Sequence, residues 1–242
     1  MRNPLSHKRG EPLNQEEMKQ VAAEKALEYI KNNMILGLGT GSTVNYLLQA
    51  LSTRIRTEPL TIQAIPTSHQ TKKIMKQTGI PITTLKDHPT IDLTIDGADE
   101  VDSDLNLIKG AGGALTREKI IAYHSKELLI IVDDSKVVKS LGMNNPIPVE
   151  ILQFSYTATQ HCLEELGCTT TLRTIVNEPY ITDNGNYIID CEFPRIPEPE
   201  ALEMQINMIP GVVENGLFIN MADRVIVGGK QGIHTLEKAI IQ

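Results

Sequence analysis

Asp96 and Asp99 stand close together in the run Asp96-Gly-Ala-Asp-Glu100, directly after the apolar stretch Ile91-Asp-Leu-Thr-Ile95. Acidic side chains at the end of a buried strand cost desolvation energy unless paired, and Ser or Asn would make a purely structural turn with less of it. Shortly after, Lys109-Gly-Ala-Gly-Gly-Ala-Leu-Thr-Arg-Glu-Lys119 joins a lysine, a glycine-rich loop and a helix that carries Glu118. Upstream, Gly37-Leu-Gly-Thr-Gly-Ser-Thr43 turns from a short apolar strand into a helix. Glycines there let the backbone approach a ligand, the free N–H groups of the helix start favour an anion such as phosphate, and Ser42 and Thr43 add hydroxyl donors. An anion cradle, a carboxylate cluster and a lysine suit proton abstraction next to a carbonyl. That chemistry needs a carboxylate base and donors for the charge that develops on oxygen. Mutually close carboxylates raise at least one pKa, so that one acts as an acid while another stays ionised. No redox cofactor is required.

The elements that must position these groups follow from periodicity. Met18, Val21, Ala22, Leu27 and Ile30 predict an amphipathic helix over 15–29, with Lys19 in its first turns. Strands are expected at 34–37, 62–65, 91–95 and 128–132, helices at 44–51, 69–77 and about 114–123, and extended chain at 81–85. Apolar strands separated by helices imply a mostly parallel Rossmann-like α/β sheet with helices on both faces, in which ligands collect beyond the carboxyl ends of the strands. The glycine turn, Asp96 and Lys136 all fall at such ends. The turn is nevertheless no nucleotide loop: Ser42 stands where the third glycine of G-x-G-x-x-G belongs, and no Walker lysine follows. The second strand ends in Pro66-Thr-Ser instead of an acid for a ribose hydroxyl, which argues against a dinucleotide dehydrogenase.

After Asn144-Asn-Pro-Ile-Pro148 the rhythm changes. A strand (149–152), a helix (157–166), two strands (170–174 and 187–193) joined through Asp183-Asn-Gly-Asn186, a helix (199–209) and a strand (212–217) give the β-α-β-β-α-β order of a smaller ferredoxin-like α+β domain. Arg224-Val-Ile-Val227 and a helix over 234–240 then return to the large sheet. The expected division is a loose tail at 1–14, a large catalytic domain at 15–146, the small domain at 147–217 and a return to the large domain at 218–242.

A chain of 242 residues can bury a substantial core, and its net charge of -7 disfavours nucleic-acid binding and attraction to an anionic membrane. An anionic substrate therefore needs a local positive site. No segment approaches the about 20 uninterrupted apolar residues of a membrane span, and the basic start has no apolar stretch behind it, so a cytoplasmic protein is expected. Cys162, Cys168 and Cys191 lack metal-ligand spacing and fit reduced thiols. His7, His69, His88, His124, His161 and His234 form no metal-ligand pattern either, although His69 lies near a strand end.

The motifs at 37–43, 96–100 and 109–119, in this order and approximate spacing, resemble type A ribose-5-phosphate isomerase. The resemblance extends from about Gln15 through Asp133-Asp-Ser-Lys136, Thr182-Asp-Asn-Gly-Asn186 and Ile209-Pro-Gly-Val-Val213. It implies interconversion of ribose 5-phosphate and ribulose 5-phosphate through an enediolate, without metal or other cofactor, in the non-oxidative pentose phosphate pathway. By position it makes Glu118 the group that moves the proton between C1 and C2, and Lys109 the stabiliser of the enediolate oxygen. Asp96 and Asp99 then assist ring opening and proton transfer between hydroxyls. Thr40, Gly41, Ser42 and Thr43 correspond to a substrate-binding turn, with Gly97, Ala98, Gly110, Ala111 and Gly112 along the substrate. Lys136 matches another substrate contact and Lys19 a phosphate contact. Ala111 stands between glycines, where a positive φ would be costly. The resemblance also implies a homodimer or homotetramer, and symmetric assembly is the common default.

Blander readings stand beside these. Glu118 could be a solvated helix residue paired with Arg117 or Lys119, and Lys136 could belong to an ordinary turn. At the level of function, a related sugar-phosphate deaminase and a non-catalytic sugar-phosphate sensor are the alternatives. The absence of a basic helix-turn-helix segment argues against the sensor.

Overall fold

The computed structural model describes residues 12–238. Most of the expected tail, residues 1–11, lies outside them. Residues 12–14 are already fixed: Leu13 N–H donates to Lys230 O, and Asn14 caps the first helix. That helix, α1 (Gln15–Ala26), opens with a capping box in which Asn14 Oδ1 accepts from Glu17 N–H and the Glu17 carboxylate accepts from Asn14 N–H. A 3-10 turn at Leu27–Tyr29 closes it.

The chain continues through β1 (Ile35–Leu38), α2 (Ser42–Thr57), β2 (Gln63–Pro66), α3 (His69–Thr78), β3 (Leu93–Asp96), the short strands β4 (Glu100–Val101) and β5 (Leu107–Ile108), α4 (Leu115–Tyr123) and β6 (Leu128–Asp133). The segment expected to be extended at 81–85 makes a single bridge, Ala64 to Ile82, and otherwise runs as loop. After β6 come β7 (Ile147–Ile151), α5 (Tyr156–Glu164), β8 (Thr169–Leu172), β9 (Thr174–Ile175), β10 (Glu178–Pro179), β11 (Tyr187–Glu192), α6 (Pro199–Asn207), β12 (Val212–Asn215), β13 (Leu217–Phe218), β14 (Arg224–Gly229) and β15 (Gly232–Glu237).

Six strands form the large sheet in the order β15-β14-β6-β3-β1-β2, parallel except for the β14–β15 pair. Strand alternation loads both faces. Leu129 and Ile131 of β6 join Ala22 and Ala26 of α1, Leu47 and Leu51 of α2 and Met75 of α3 in one core. Leu128, Ile130 and Val132 turn to the other side, where Ala122 of α4 and Phe218 of β13 cover them. The fold is thus the expected α/β sheet with helices on both faces.

The chain's last expected helix is corrected. Residues 232–237 form β15, antiparallel to β14 from the Gly229–Gly232 pair to Arg224–Glu237, and 239–242 lie outside the described residues. The Leu-Glu-Lys-Ala run looks helical by itself. A two-residue turn between Gly229 and Gly232, followed by β-branched Ile233 and Thr235 in alternation, favours a hairpin that completes the sheet edge.

The smaller sheet has the order β12-β7-β11-β8, antiparallel throughout, with α5 and α6 in the connections, which is the ferredoxin-like arrangement. Two details depart from expectation. A hairpin, β9–β10, is inserted after β8 and turns through Val176 and Asn177 at positive φ. Leu217, expected at the end of the last strand, belongs instead to β13, which pairs with β5 in a separate three-stranded sheet β13-β5-β4. The break falls at Gly216, whose N–H donates to Pro148 O and whose carbonyl accepts from Lys109 N–H.

Candidate active site

Asp96 closes β3 almost completely buried, and β1 passes so near that a Cβ at Gly39 would lie 1.8 Å from Asp96 Oδ1. Only glycine fits. Asp96 Oδ1 accepts from Thr40 N–H at 3.1 Å and from Gly97 N–H at 2.7 Å. The Thr40 hydroxyl is held from behind by Thr67, Ser68 and Thr71 at 2.8, 2.8 and 3.0 Å. The strand order that places β1 beside β3 thus brings the glycine turn onto the carboxylate.

Lys109 follows β5 and is 2 % exposed. Its Nζ lies 3.0 Å from Asp96 Oδ2 and 3.2 Å from Glu118 Oε2, and donates to Gly97 O at 2.6 Å, with the Phe218 ring 5.3 Å away. Glu118 sits in the first turn of α4, buried, and its Oε2 accepts no hydrogen bond. Asp99 Oδ2 accepts from Ala111 N–H at 2.9 Å. Glu118 is therefore no solvated helix residue: Arg117 reaches Asn184 and Asp183, and Lys119 reaches Glu214 and Glu203.

Burial, and then the charge of Asp96, push the Glu118 carboxyl up to about 8 against the opposing pull of Lys109. Burial also raises Asp96, while Lys109 and the Gly97 and Thr40 N–H groups pull it back. Burial works against the charged form of Lys109, but Asp96 and Glu118 more than offset it and hold its proton above the ordinary lysine range. Asp96 accepts two N–H bonds and Glu118 Oε2 accepts none, so a proton shared among these acids goes to Glu118.

A cavity of about 170 Å³ joins these groups to the start of α2. Of the residues singled out in the sequence, Lys19, Thr40, Gly41, Ser42, Thr43, Gly97, Ala98, Asp99, Lys109, Gly110, Gly112, Glu118 and Lys136 all line it. Asp96 is not on its wall and holds the turn and the lysine from beneath. Ala111 is exposed off the wall, and the positive φ values of its loop fall on Gly110 and Gly113, so the alanine is unstrained. Gly41, at φ 133°, turns the chain into α2, and the start of that helix lines the same cavity as Lys19 and Lys136, an arrangement chemically suited to an anion. His69 is exposed, 3.3 Å from Asp183, and does not line the cavity.

Gln15 and Asp133 also line the cavity and were not among the expected site residues. Asp133 is buried and caps the 3-10 turn that carries Lys136 by accepting from Ser135 N–H. Its place at the end of β6 was the available signal. Glu100 is structural instead. Fully buried, it accepts from the N–H groups of Gly142, Asn144 and Asn145 and holds that loop. Among the described residues no group of His, Cys, Asp and Glu is arranged to hold a metal ion, and no helix is long and apolar enough to cross a membrane.

The family model described as ribose 5-phosphate isomerase A (phosphoriboisomerase A) matches residues 63–232. A relative from Bacillus mycoides named ribose-5-phosphate isomerase A is 52% identical over 217 residues, 89% of this chain and 97% of that one. A D-ribose-5-phosphate isomerase structure in complex with phospho-erythronic acid superposes with a TM-score of 0.91 at 45% identity, covering 93% of this chain and all of that one (100%). The ribose 5-phosphate isomerase A of Methanocaldococcus jannaschii does so with a TM-score of 0.88 at 44% identity, covering 92% and 99%.

Proposed function

We propose, from the premise that this chain belongs to the ribose 5-phosphate isomerase A family and interconverts ribose 5-phosphate and ribulose 5-phosphate, that Glu118 is the base and Lys109 the electrophile of the reaction. The observation that carries this reading is the buried Glu118 Oε2, raised in proton affinity and free of hydrogen bonds, beside a lysine in a cavity with an anion-binding helix start. A carboxylate held by several N–H donors would be a weak base; this one has only the Lys109 ammonium beside it, at 3.2 Å.

The open-chain aldose carries its carbonyl at C1. Ionised Glu118 takes the proton from C2, and the C–H electron pair forms the C1–C2 double bond while the carbonyl pair moves to O1. The Lys109 ammonium stabilises that enediolate oxygen. A proton passes from O2 to O1 through the aspartates, Asp99 on the cavity wall and Asp96 beneath it. Glu118 returns its proton to C1 as the C2 carbonyl forms. Ring opening uses the same aspartates, and the coupled acids divide these proton transfers as a unit. The α2 N-terminus, Lys19 and Lys136 hold the phosphate.

Incubating the protein with ribose 5-phosphate in deuterated water with excess EDTA tests this by NMR. Ketose formation with deuterium at the exchanging carbon in wild type, lost in Glu118→Gln, supports it. Near-normal turnover in Glu118→Gln removes Glu118 from the base role. We also expect phospho-erythronic acid, bound by a similar isomerase, to compete with substrate in this cavity. The deaminase and sensor readings are not favoured by the relatives.

Three coarser features are part of the proposal. The free cysteines support a reducing, cytoplasmic setting. The exposed side chains Tyr123, Phe154 and Met208 support burial in a homodimer or homotetramer. The two sheets support a catalytic unit over 15–146 and 218–238 with a small domain at 147–217.

A further inference from the structure

Arg173, at the junction of β8 and β9 in the small domain, reaches out of its own sheet into the glycine loop of the site. Its guanidinium is gripped by Asp190 of β11, through Nε at 2.9 Å and through Nη2. The remaining arm, Nη1, donates to Gly110 O at 2.8 Å and to Ala111 O at 3.1 Å. Tyr180 adds a longer bond, Oη to Gly112 O at 3.4 Å, and its backbone N–H is tied to Arg173 O at 2.9 Å. Three successive carbonyls of the loop are thus held from the small-domain side.

A trans peptide places its N–H opposite its C=O. Holding the Gly110 carbonyl therefore aims the Ala111 N–H the other way, and that N–H donates to Asp99 Oδ2 at 2.9 Å. Holding the Ala111 carbonyl likewise aims the N–H of Gly112, a residue on the cavity wall. Lys109 begins the same loop. A guanidinium suits this position because its planar fork binds a carboxylate with one edge while the other donates elsewhere, which an ammonium cannot do.

We propose that Arg173, fixed by Asp190, is a positioning residue of the isomerase. It turns the peptide planes of the glycine loop so that Ala111 N–H orients Asp99 and Gly112 N–H meets the charge developing on the substrate oxygen. The inference rests on the reading of this cavity as the isomerase site, and it gives the small domain a part in the chemistry.

The test compares Arg173→Met, Arg173→Lys and Asp190→Asn with wild type in steady-state kinetics on ribose 5-phosphate, with thermal unfolding recorded for each. Misplaced donors should lower kcat by about 10–100-fold in both arginine variants while KM moves by less than about threefold, because the lost interactions strengthen in the transition state. Asp190→Asn, which leaves the guanidinium in place but unfixed, should show the same split to a smaller degree. It also serves if the arginine variants fail to fold. Guanidinium chloride added at a non-denaturing concentration should restore part of the kcat of Arg173→Met, which a merely structural role would not allow. Folded variants with wild-type kcat, or a loss confined to KM or to the unfolding temperature, overturn the proposal. Glu118→Gln is assayed in parallel. Loss of turnover there with normal kcat in the arginine variants sinks this inference alone, and retained turnover in Glu118→Gln sinks the base assignment alone.

Discussion

Lys109 and Glu118 form a buried pair in which the ammonium stands 3.2 Å from Glu118 Oε2 without donating a hydrogen bond to it. The lysine's directed bond goes instead to Gly97 O at 2.6 Å, and its closer carboxylate is Asp96 at 3.0 Å. The geometry leaves Glu118 Oε2 as the atom with the least local stabilisation of negative charge. Such an arrangement costs the fold stability and suits the base role proposed for Glu118.

Glu118→Gln should accordingly lose turnover by about a thousandfold or more, since removing a general base alone contributes 10²–10⁴, while keeping its affinity for the substrate phosphate. It should also be more stable than wild type at alkaline pH. A gain of about 1 kcal/mol would raise Tm by about 2–4 °C for a chain of this size. Calorimetry alongside kinetics checks both, and a lower Tm in the variant would contradict the strained-base account.

The pH dependence follows from the same displacement. Glu118 must be ionised to accept the C2 proton, so kcat/KM should rise as pH increases through about 8, the value to which burial and Asp96 push it. Lys109→Met removes the charge that opposes this shift, so the residual activity of that variant should show the limb at higher pH. The stability sign is opposite. The folded state keeps a proton that the unfolded chain releases near 4.5, so this group's contribution is full below 4.5 and is lost as pH rises to about 8. The Tm advantage of Glu118→Gln should therefore be absent at pH 4 and grow across that window.

Glu100 separates structural from chemical acids within one motif. Its Oε2 accepts from Gly142 N–H at 2.6 Å and its Oε1 from Asn144 N–H at 2.6 Å and Asn145 N–H at 2.8 Å. In Glu100→Gln one acceptor becomes an amide facing a buried N–H, a loss of about 1–3 kcal/mol. We expect a Tm fall of about 2–12 °C on that basis, with kcat in the folded fraction close to wild type. A kcat loss as large as that of Glu118→Gln would place Glu100 in the chemistry.

Legibility in the sequence followed locality. The strand end at Asp96 and the glycine loop after Lys109 were legible because each leaves a local pattern, whereas Glu118, by itself an ordinary helix residue, was singled out through the resemblance of the whole motif. The role of Glu100 was not readable, since its donors lie more than forty residues on and nothing near it marks them. Arg173 was missed for the same reason: its partners Gly110 and Ala111 are in another sheet's connections. The final strand was misread because edge pairing, a tertiary effect, overrode the helical look of Leu-Glu-Lys-Ala. The ferredoxin-like order was legible, whereas the transfer of Leu217 to another sheet depended on backbone bonds at Gly216 that no periodicity records.

Lys19 and Lys136 both line the cavity, and in the proposed phosphate site they should not carry the charge equally. Lys19 Nζ is already 2.7 Å from Glu16 Oε1, and Glu16 also accepts from Tyr46 Oη at 2.8 Å. Lys136, at the end of the 3-10 turn capped by Asp133, has no carboxylate partner among the described residues. A phosphate therefore meets an uncompensated charge at Lys136 and a partly neutralised one at Lys19. Lys136→Met should raise KM by about tenfold, the equivalent of about 1.4 kcal/mol for a charge-assisted contact, with a smaller change in kcat. Lys19→Met should raise KM less, and Glu16→Gln should lower KM by freeing Lys19. The ranking is checked by steady-state kinetics at fixed ionic strength, and a larger KM effect at Lys19 than at Lys136 would reverse this division of the phosphate charge.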